Sequence, residues 1–301
     1  MALPVPDRRR CGTMQVHHRL LEQDPEFRIR QAELERRIHT RLEAGAPARQ
    51  TITTVPVVVH VLYKTTDEKL TATQVKSQIT ALNKDYRATN PDKSTVPEVW
   101  QGLVTDSRVR FSFAKKDPSG RATTGILHVP TSQSSFADDD SMKAKSTGGS
   151  DGWPSDRYLN IWVCSLGGGL LGYAQFPGGP AKTDGIVILN RAFGTRGTAT
   201  APFHLGRTAT HEIGHWLNLR HIWGDTEDCS GTDFVADTPT QQHPNYGKPS
   251  FPHVSCQNGP NGDMFMNYMD YVDDDAMFMF TAQQVVRMQA SLDGPRRTIG
   301  T

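Results

Sequence analysis

Residues 211–221 read His211-Glu-Ile-Gly-His-Trp-Leu-Asn-Leu-Arg-His221 and contain three histidines and one glutamate. Residues four apart on a helix share one face, so His211 and His215 can reach a single metal ion. Glu212 is too close in sequence to join them as a ligand, but it can lean over a metal-bound water. The pattern predicts a zinc site on a helix. The alternative is two histidines on a solvated helix face.

The third histidine favours the metal site. His221 lies six residues past His215 and cannot share the face of a continuous helix. If the helix ends near Asn218, the chain can turn and bring His221 back to the metal. Such a turn needs a residue with positive φ, normally Gly and sometimes Asn. Three protein ligands with an open fourth position are typical of catalytic zinc, whereas structural zinc sites are closed.

The whole stretch resembles the extended zinc motif of metzincin proteases, HExxHxxGxxH, with Asn218 at the position of the motif glycine. Asn adopts the left-handed conformation more readily than most residues, so we expect the turn to form. The second family hallmark is a methionine turn, which Met266-Asn-Tyr-Met-Asp-Tyr271 resembles. The resemblance implies that Met269 is a structural floor beneath the histidines and that Tyr271 lies near the metal.

Finer features resemble the pappalysin family, most closely its ulilysin-like members. They are Trp216, Asp237-Thr-Pro239, the methionine turn and the glycine-rich run at residues 167–176. The resemblance covers most of residues 51–292. It implies a zinc-dependent endopeptidase that acts on proteins or peptides; a non-proteolytic zinc hydrolase is the alternative.

The resemblance also implies a mechanism. Glu212 takes a proton from the attacking water and delivers it to the leaving amine, so it acts first as base and then as acid. Tyr271 helps to stabilise the oxyanion; a packed tyrosine without such a role is the alternative. The run that begins at residue 170 forms the upper-rim edge strand, to which an extended substrate adds as another strand. The substrate contacts expected there are Leu170, Leu171, Gly172 and Tyr173.

Specificity is expected to depend on the acids that follow the methionine turn. Val272-Asp-Asp-Asp275 places three carboxylates there, and Asp274 matches the specificity aspartate of ulilysin-like members. A buried carboxylate facing a guanidinium or ammonium group makes a charge-assisted hydrogen bond. We therefore expect cleavage on the N-terminal side of Arg and Lys. The alternative is that these acids form a solvated turn or hold calcium.

Relatives in this family carry calcium in the loop that follows the third histidine, and oxygen ligands suit that cation. Acid-rich loops that are merely solvated are the alternative. The candidate calcium ligands are Asp225, Glu227, Asp233, Asp237 and Thr238.

The N-terminal segment differs in charge from the rest of the chain. Residues 1–49 hold ten arginines and seven acids, a net charge of +3, which leaves −2 for the remainder of a chain whose net charge is +1. A thiolate is a strong zinc ligand, so Cys11 can fill the open position, and the three arginines before it should favour the thiolate. Arg8-Arg-Arg-Cys-Gly-Thr13 also resembles the family's cysteine-switch segment. These features predict a latent zymogen.

The pattern along the chain predicts an α/β (α+β) fold of the metzincin type. It has a mixed twisted sheet, an active-site helix, an irregular lower subdomain that ends in a helix over 281–292, and a mostly helical pro-segment. Strands are expected at residues 55–63, 109–113, 125–129, 158–166 and 185–189, and helices at 20–43 and 75–86, the latter capped by Thr71 or Thr73. We expect a pro-segment at 1–48 and a catalytic domain at 49–301, divided into upper (49–221) and lower (222–301) subdomains. Residues 45–49 read as an exposed linker in which Arg49 marks the site of autoprocessing.

Composition restricts the function classes that remain. A net charge of +1 argues against a nucleic-acid binder, and no stretch approaches the ~18 apolar residues of a membrane span. Nothing at the N-terminus resembles a signal peptide, so either export uses a segment absent here or the protein stays inside the cell.

Cys229 and Cys256 bracket a polar stretch and match a family disulfide, which implies a secreted, extracellular protein; Cys164 is expected as a buried thiol. We expect a monomer. A scaffolding module would have no use for Glu212, and a metal-storage protein would have no peptide cleft.

Overall fold

A computed structural model describes residues 5–45 and 49–300 of the chain; residues 46–48, at the centre of the expected linker, lie outside the described residues. The core of the fold is a six-stranded sheet. Its strands are β1 Thr53–Tyr63, β2 Val109–Phe113, β3 Ile126–Pro130, β4 Leu159–Cys164, β5 Gly172–Ala174 and β6 Ile186–Leu189. A second, two-stranded sheet pairs β7 Tyr246–Gly247 with β8 Tyr271–Val272.

The large sheet is mostly parallel. Its strand order is β2-β1-β4-β6-β5, and β3 also pairs with β1. The β-branched run of β1 lies at the centre and is almost entirely buried, as the continuous apolar sequence predicts. The short strand β5 is the one antiparallel member and lies at the edge of the sheet. This position leaves its outer edge open for pairing with another extended chain.

The helices are α1 Thr13–Gln23, α2 Pro25–Glu43, α3 Ala72–Tyr86, the short α4 Glu98–Gln101, α5 Arg207–Trp216 and α6 Ala282–Asp293. Of the two candidate caps for α3, Thr71 is the one used, since its hydroxyl accepts a hydrogen bond from the Gln74 amide. Helix α5 carries the histidine motif and contacts β5, β6 and α3.

The pro-segment differs from the single helix predicted over 20–43, because it forms two helices that break at Asp24. Proline disfavours the helical conformation in the residue before it, and Asp24 is extended (φ −127°). Its carboxylate then caps α2 by accepting a hydrogen bond from the Phe27 amide at 3.0 Å. The apolar stripe of α2 is buried through Phe27, Leu34 and Ile38.

Beyond α5 the chain is largely irregular until Thr281 caps α6, as predicted. A disulfide joins Cys229 to Cys256 across this region, and Cys164 is a buried free thiol. The α/β fold predicted from the sequence is confirmed. No helix within residues 5–45 and 49–300 is long and apolar enough to cross a bilayer.

Candidate active site

Three histidine side chains converge in the interior below β5. His211 and His215 lie one turn apart on α5, and His221 returns from the turn that follows. The Nε2 atom of His215 lies 3.2 Å from Nε2 of His211 and 3.1 Å from Nε2 of His221. All three side chains are buried.

The opposite ring nitrogens fix the tautomers. His211 Nδ1 lies 2.7 Å from the Tyr268 carbonyl, and His215 Nδ1 lies 2.7 Å from the Leu219 carbonyl. A carbonyl only accepts, so these two nitrogens carry the protons and the Nε2 atoms are bare acceptors. His221 Nδ1 faces the Asp225 carboxylate in the same way.

Three lone pairs aimed at one another repel unless a cation lies between them. Tetrahedral zinc with bonds of ~2.0–2.1 Å holds its nitrogen ligands ~3.3 Å apart, close to the separations found here. The donor set of neutral imidazoles, each oriented by an outer acceptor, therefore fits a zinc ion.

The turn that presents His221 forms on Asn218, which takes the left-handed conformation with φ of 77°. The Leu219 amide then donates to the Gly214 carbonyl at 2.9 Å and closes the end of α5. The expectation that Asn can replace glycine in this turn is confirmed.

Met269 lies directly beneath α5. A Cβ on Gly214 would come within 2.4 Å of the Met269 sulfur, so the sulfur packs directly against the helix at this glycine. The backbone of the same turn supplies the Tyr268 carbonyl that orients His211. Met269 thus lies against the helix that carries His211 and His215.

Glu212 lies beside the three histidines and is buried. One carboxylate oxygen, Oε2, accepts a hydrogen bond from Thr13 Oγ1 at 3.0 Å and faces Cys11 Sγ at 3.2 Å. Burial raises the pKa of Glu212 to about 7, and the Cys11 and Thr13 hydrogen bonds oppose the shift. The space for its side chain depends on glycine at position 172, because a Cβ added there would lie 3.1 Å from Glu212 Cγ.

The pro-segment brings Cys11 to the centre of this group. Its sulfur and the ligand nitrogens of the three histidines all lie within 4.8 Å of one another. Backbone pairing holds it there, since the Leu171 amide donates to the Arg10 carbonyl and the Gly12 amide donates to the Gly172 carbonyl, both at 2.9 Å. Cys11 and Gly172 thus form a parallel bridge along β5.

The three arginines before Cys11 do not act as expected. Burial and the Glu212 charge raise the pKa of the Cys11 thiol well above its ordinary value. Arg8 lies over the Tyr246 ring, Arg10 bonds the Gly168 carbonyl, and Arg9 is buried elsewhere. A thiolate at this position would therefore depend on a bound cation rather than on the arginines.

Arg9 occupies a closed pocket next to the histidines. Its Nη2 donates to Asp274 Oδ1 at 2.7 Å, and both side chains are almost fully buried. Its other donors reach Thr208 Oγ1 at 3.1 Å and the Val272 carbonyl at 3.3 Å, while its guanidinium lies over the Phe203 ring. The pocket thus surrounds one guanidinium with acceptors and an aromatic face.

Tyr271 also lies next to the histidines, in contact with His211 and His221. Its ring centroid is 5.0 Å from that of His221, and its hydroxyl accepts a hydrogen bond from the Cys11 amide at 3.2 Å. Burial raises the pKa of Tyr271 well above its ordinary value, so the phenol keeps its proton.

The five candidate calcium ligands lie in different places. Asp225 faces His221, and Asp237 accepts hydrogen bonds from the Thr281 hydroxyl and the Gln283 amide at the start of α6. Glu227 is exposed. Only Asp233 and Thr238 meet, with Thr238 Oγ1 donating to Asp233 Oδ2 at 2.8 Å.

Sequence reasoning missed the contacts of Arg9, Thr13 and Thr208. Arg9 is buried, whereas Arg8 and Arg10 on either side of it are exposed, and three arginines in a row give no sequence signal for which of them is buried. Thr13 is the first residue of α1. Nothing in the sequence marks Thr208 as a pocket residue.

The chain is similar to known metalloproteases over most of its length. The family model Peptidase_M43, described as pregnancy-associated plasma protein-A, matches residues 144–293. An extracellular metalloprotease from Pyricularia oryzae is 30% identical over 299 residues, which cover 96% of this chain and 90% of the fungal protein.

Two solved structures resemble this one closely. A mutant of promirolysin from Tannerella forsythia is 42% identical; the match covers 97% of each chain, with a TM-score of 0.89. Mature mirolysin from Tannerella forsythia, in complex with a cleaved peptide, is 46% identical, and the match covers 84% of this chain and 97% of that chain with a TM-score of 0.82.

Proposed function

The chain belongs to the pappalysin family of metalloendopeptidases, Peptidase_M43, and from this premise we propose that it is a zinc enzyme, made in latent form, that cuts proteins on the N-terminal side of arginine and lysine. In this proposal His211, His215 and His221 hold the zinc. Their three bare nitrogens, each oriented by an acceptor on the far side of the ring, support the assignment.

The observation that carries the specificity is the pairing of Arg9 with Asp274. The pocket accepts an arginine from the chain itself, and the Asp274 carboxylate, the Val272 carbonyl and Thr208 together satisfy three of its donors. A substrate arginine or lysine that follows the scissile bond would enter the same pocket. A neutral side chain would leave the buried acid unpaired, which costs about 1–3 kcal/mol.

When bound, zinc supplies Lewis-acid polarisation of the scissile carbonyl and a water whose pKa is lowered towards ~7. Glu212 Oε2 lies next to the Cys11 sulfur and therefore next to the position that water would take. From this position the carboxyl can accept the proton from the attacking water and deliver it to the leaving amine.

The remaining roles follow from position. The Tyr271 phenol, protonated and close to both His221 and the Cys11 backbone, donates a hydrogen bond to the developing oxyanion. Residues 170–173 bind the substrate backbone, since Leu171 and Gly172 already exchange hydrogen bonds with the pro-segment along β5. Leu170 and Tyr173 flank this pairing at the rim.

Latency comes from residues 1–48, which form the pro-segment, and residues 49–301 form the catalytic domain. Cys11 Sγ takes the position of the nucleophilic water, and Thr13 engages the carboxylate of Glu212. Arg9 fills the specificity pocket at the same time. The proposed cut before Arg49 divides the chain into these two parts.

Two further assignments complete the proposal. The calcium expected in the loop after the third histidine is assigned to Asp233 and Thr238, the two of the five candidate ligands that contact each other. The enzyme is secreted. The relatives are named extracellular, and the Cys229–Cys256 bond suits an oxidising compartment.

The proposed centre is tested by replacing Glu212 with alanine. The variant should retain one zinc per chain, measured by elemental analysis, while its rate of peptide hydrolysis falls by about 10²- to 10⁴-fold because the proton shuttle is lost. Glu98→Ala, on an exposed position of the short helix α4, is the control and should keep its activity. Near-normal hydrolysis by Glu212→Ala would refute the mechanism.

A further inference from the structure

A second anchor of the pro-segment lies at the turn that follows α5. The Glu35 carboxylate on α2 accepts hydrogen bonds from Arg287 Nη1 at 3.0 Å and Nη2 at 2.8 Å. It also accepts one from Asn218 Nδ2 at 2.9 Å. Three donors of the catalytic domain thus converge on one carboxylate of the pro-segment.

The receiving site is built into the catalytic domain. The Arg287 side chain on α6 is 1% exposed, and the same guanidinium donates to the Asn218 carbonyl at 3.2 and 3.4 Å. These bonds are made within the catalytic domain, and they tie Arg287 to the turn that presents His221. A two-pronged guanidinium contact of this kind is among the strongest hydrogen-bonded pairs in proteins.

The electrostatics favour a charged carboxylate in this site. Burial alone would raise the pKa of Glu35, but the Arg287 charge and the hydrogen bonds from Arg287 and Asn218 outweigh it, and the net effect lowers the pKa below its ordinary value. The Glu35 side chain is 28% exposed, so its contribution is screened only in part.

Apolar packing supports the same contact. Leu34 and Ile38 of α2 are buried against Ala290 of α6, in the turns that flank Glu35. At the other end of α2, Arg30 Nε donates to the Gly178 carbonyl at 2.6 Å. Helix α2 is therefore held along its length by contacts that do not involve the substrate cleft.

The anchor also gives a reason for asparagine at the motif glycine. Glycine adopts φ of 77° at no steric cost, whereas Asn218 adopts it with some strain. Asparagine adds the amide that donates to Glu35, which glycine lacks.

We propose that Arg287 and Asn218 form a carboxylate-binding site whose occupant is Glu35 of the pro-segment, and that this site keeps the pro-segment bound after the linker is cut. The proposal rests on the proposed function in taking residues 1–48 as a removable pro-segment. A cut before Arg49 breaks none of the contacts made by residues 9–38. Activation therefore takes two steps, cleavage of the linker and then loss of the bound pro-segment.

The test uses the full chain carrying Glu212→Ala, which prevents self-processing, with the recognition sequence of a site-specific protease inserted between Ala48 and Arg49. After complete cleavage at the insert, size-exclusion chromatography over a dilution series measures how much pro-segment stays with the catalytic domain and how fast it leaves. The two fragments should co-elute. Adding Glu35→Gln should increase the dissociation rate by about tenfold or more, since a charge-assisted pair becomes a neutral one.

Two further variants complete the experiment. Glu33→Gln makes the same change on an exposed position of α2 and should dissociate like the parent. Asn218→Gly removes one donor to Glu35, and glycine suits the left-handed turn. The pro-segment of this variant should therefore also dissociate faster than that of the parent. The uncut variants should unfold at similar temperatures. Equal dissociation rates for Glu35→Gln and Glu33→Gln would overturn the proposal. Because the cut comes from an added protease, the result does not depend on zinc catalysis or on the proposed specificity.

Discussion

Asp274 uses its two carboxylate oxygens for different purposes. Oδ2 accepts hydrogen bonds from the backbone amides of Leu205 at 2.7 Å and Arg207 at 3.2 Å. Oδ1 is left to face the pocket, where it binds Arg9. The backbone thus fixes the orientation of the carboxylate, and the pocket receives one buried acceptor.

This geometry predicts the result of Asp274→Asn. The asparagine oxygen should keep the two backbone amides, which turns its NH₂ group towards the pocket and replaces an acceptor with a donor. The preference for Arg over an apolar residue after the scissile bond should fall by about 5- to 150-fold, with zinc content unchanged. The measurement is kcat/KM on two peptides that differ only at that residue. Asp275→Asn, on the half-exposed neighbour that binds Lys248, is the control and should keep the preference.

At the scale of single residues, spacing predicted the groups that lie close in sequence. The histidine positions at 211, 215 and 221 and the left-handed turn at Asn218 follow from helix geometry. The partner of each charged side chain could not be predicted in this way. Arg9 pairs with an acid 265 positions away, and Glu35 with an arginine 252 positions away, because the fold and not the local sequence brings them together.

At the scale of elements, the strand-like segment around Cys11 acts as one unit with β5. Its backbone pairs with Leu171 and Gly172, and the Ala174 amide donates to Thr13 Oγ1 at 2.8 Å. The segment thus uses the edge that an extended substrate would need. This is the open edge that the strand order places next to the histidines.

Cys11→Ala should weaken this unit. Because the sulfur no longer fills the position of the nucleophilic water, the full-length chain should show a higher initial rate of peptide hydrolysis and a shorter lag before self-processing. Progress curves of freshly purified protein measure both quantities. Gln15→Ala, an exposed change on α1, should leave the lag as it is. Unaltered latency in Cys11→Ala would contradict the cysteine switch.

The irregular lower region depends on its own cross-link. The bond between Cys229 and Cys256 closes a loop with a sequence separation of 27, which is worth roughly 3 kcal/mol in the chain-entropy description. Alkylation without reductant, after metal removal and unfolding, should label Cys11 and Cys164 only, as read by peptide mass mapping. Labelling of all four cysteines would rule the bond out.

The elements differ in how far the sequence predicts them. Strand β1 and helix α6 were predicted from continuous β-branched residues and from a cap followed by an apolar stripe. The break at Asp24 was missed, although Pro25 is a local signal for it. The path of the region after α5 could not be predicted, because side-chain contacts and the disulfide shape it more than periodic structure does.

At the scale of the whole molecule, the pro-segment makes three separate contacts that the proposed latency would use. Arg9 fills the pocket of Asp274, Cys11 faces the histidines, and Glu35 binds Arg287 of α6. The charges of the two parts are of opposite sign, +2 for residues 1–48 and −1 for residues 49–301. This difference favours docking in general terms, while the buried pairs determine where each segment lies.

The proposed selection of a basic residue immediately after the scissile bond can be read from the products of a digest. The activated chain digests a denatured protein, the N-termini of all products are identified by mass spectrometry, and a chelator-treated digest is the control. New fragments should begin with arginine or lysine, the enzyme's own mature chain should begin at Arg49, and the chelator should abolish both. Fragments that begin predominantly with hydrophobic residues, or that end in arginine or lysine, would contradict this specificity.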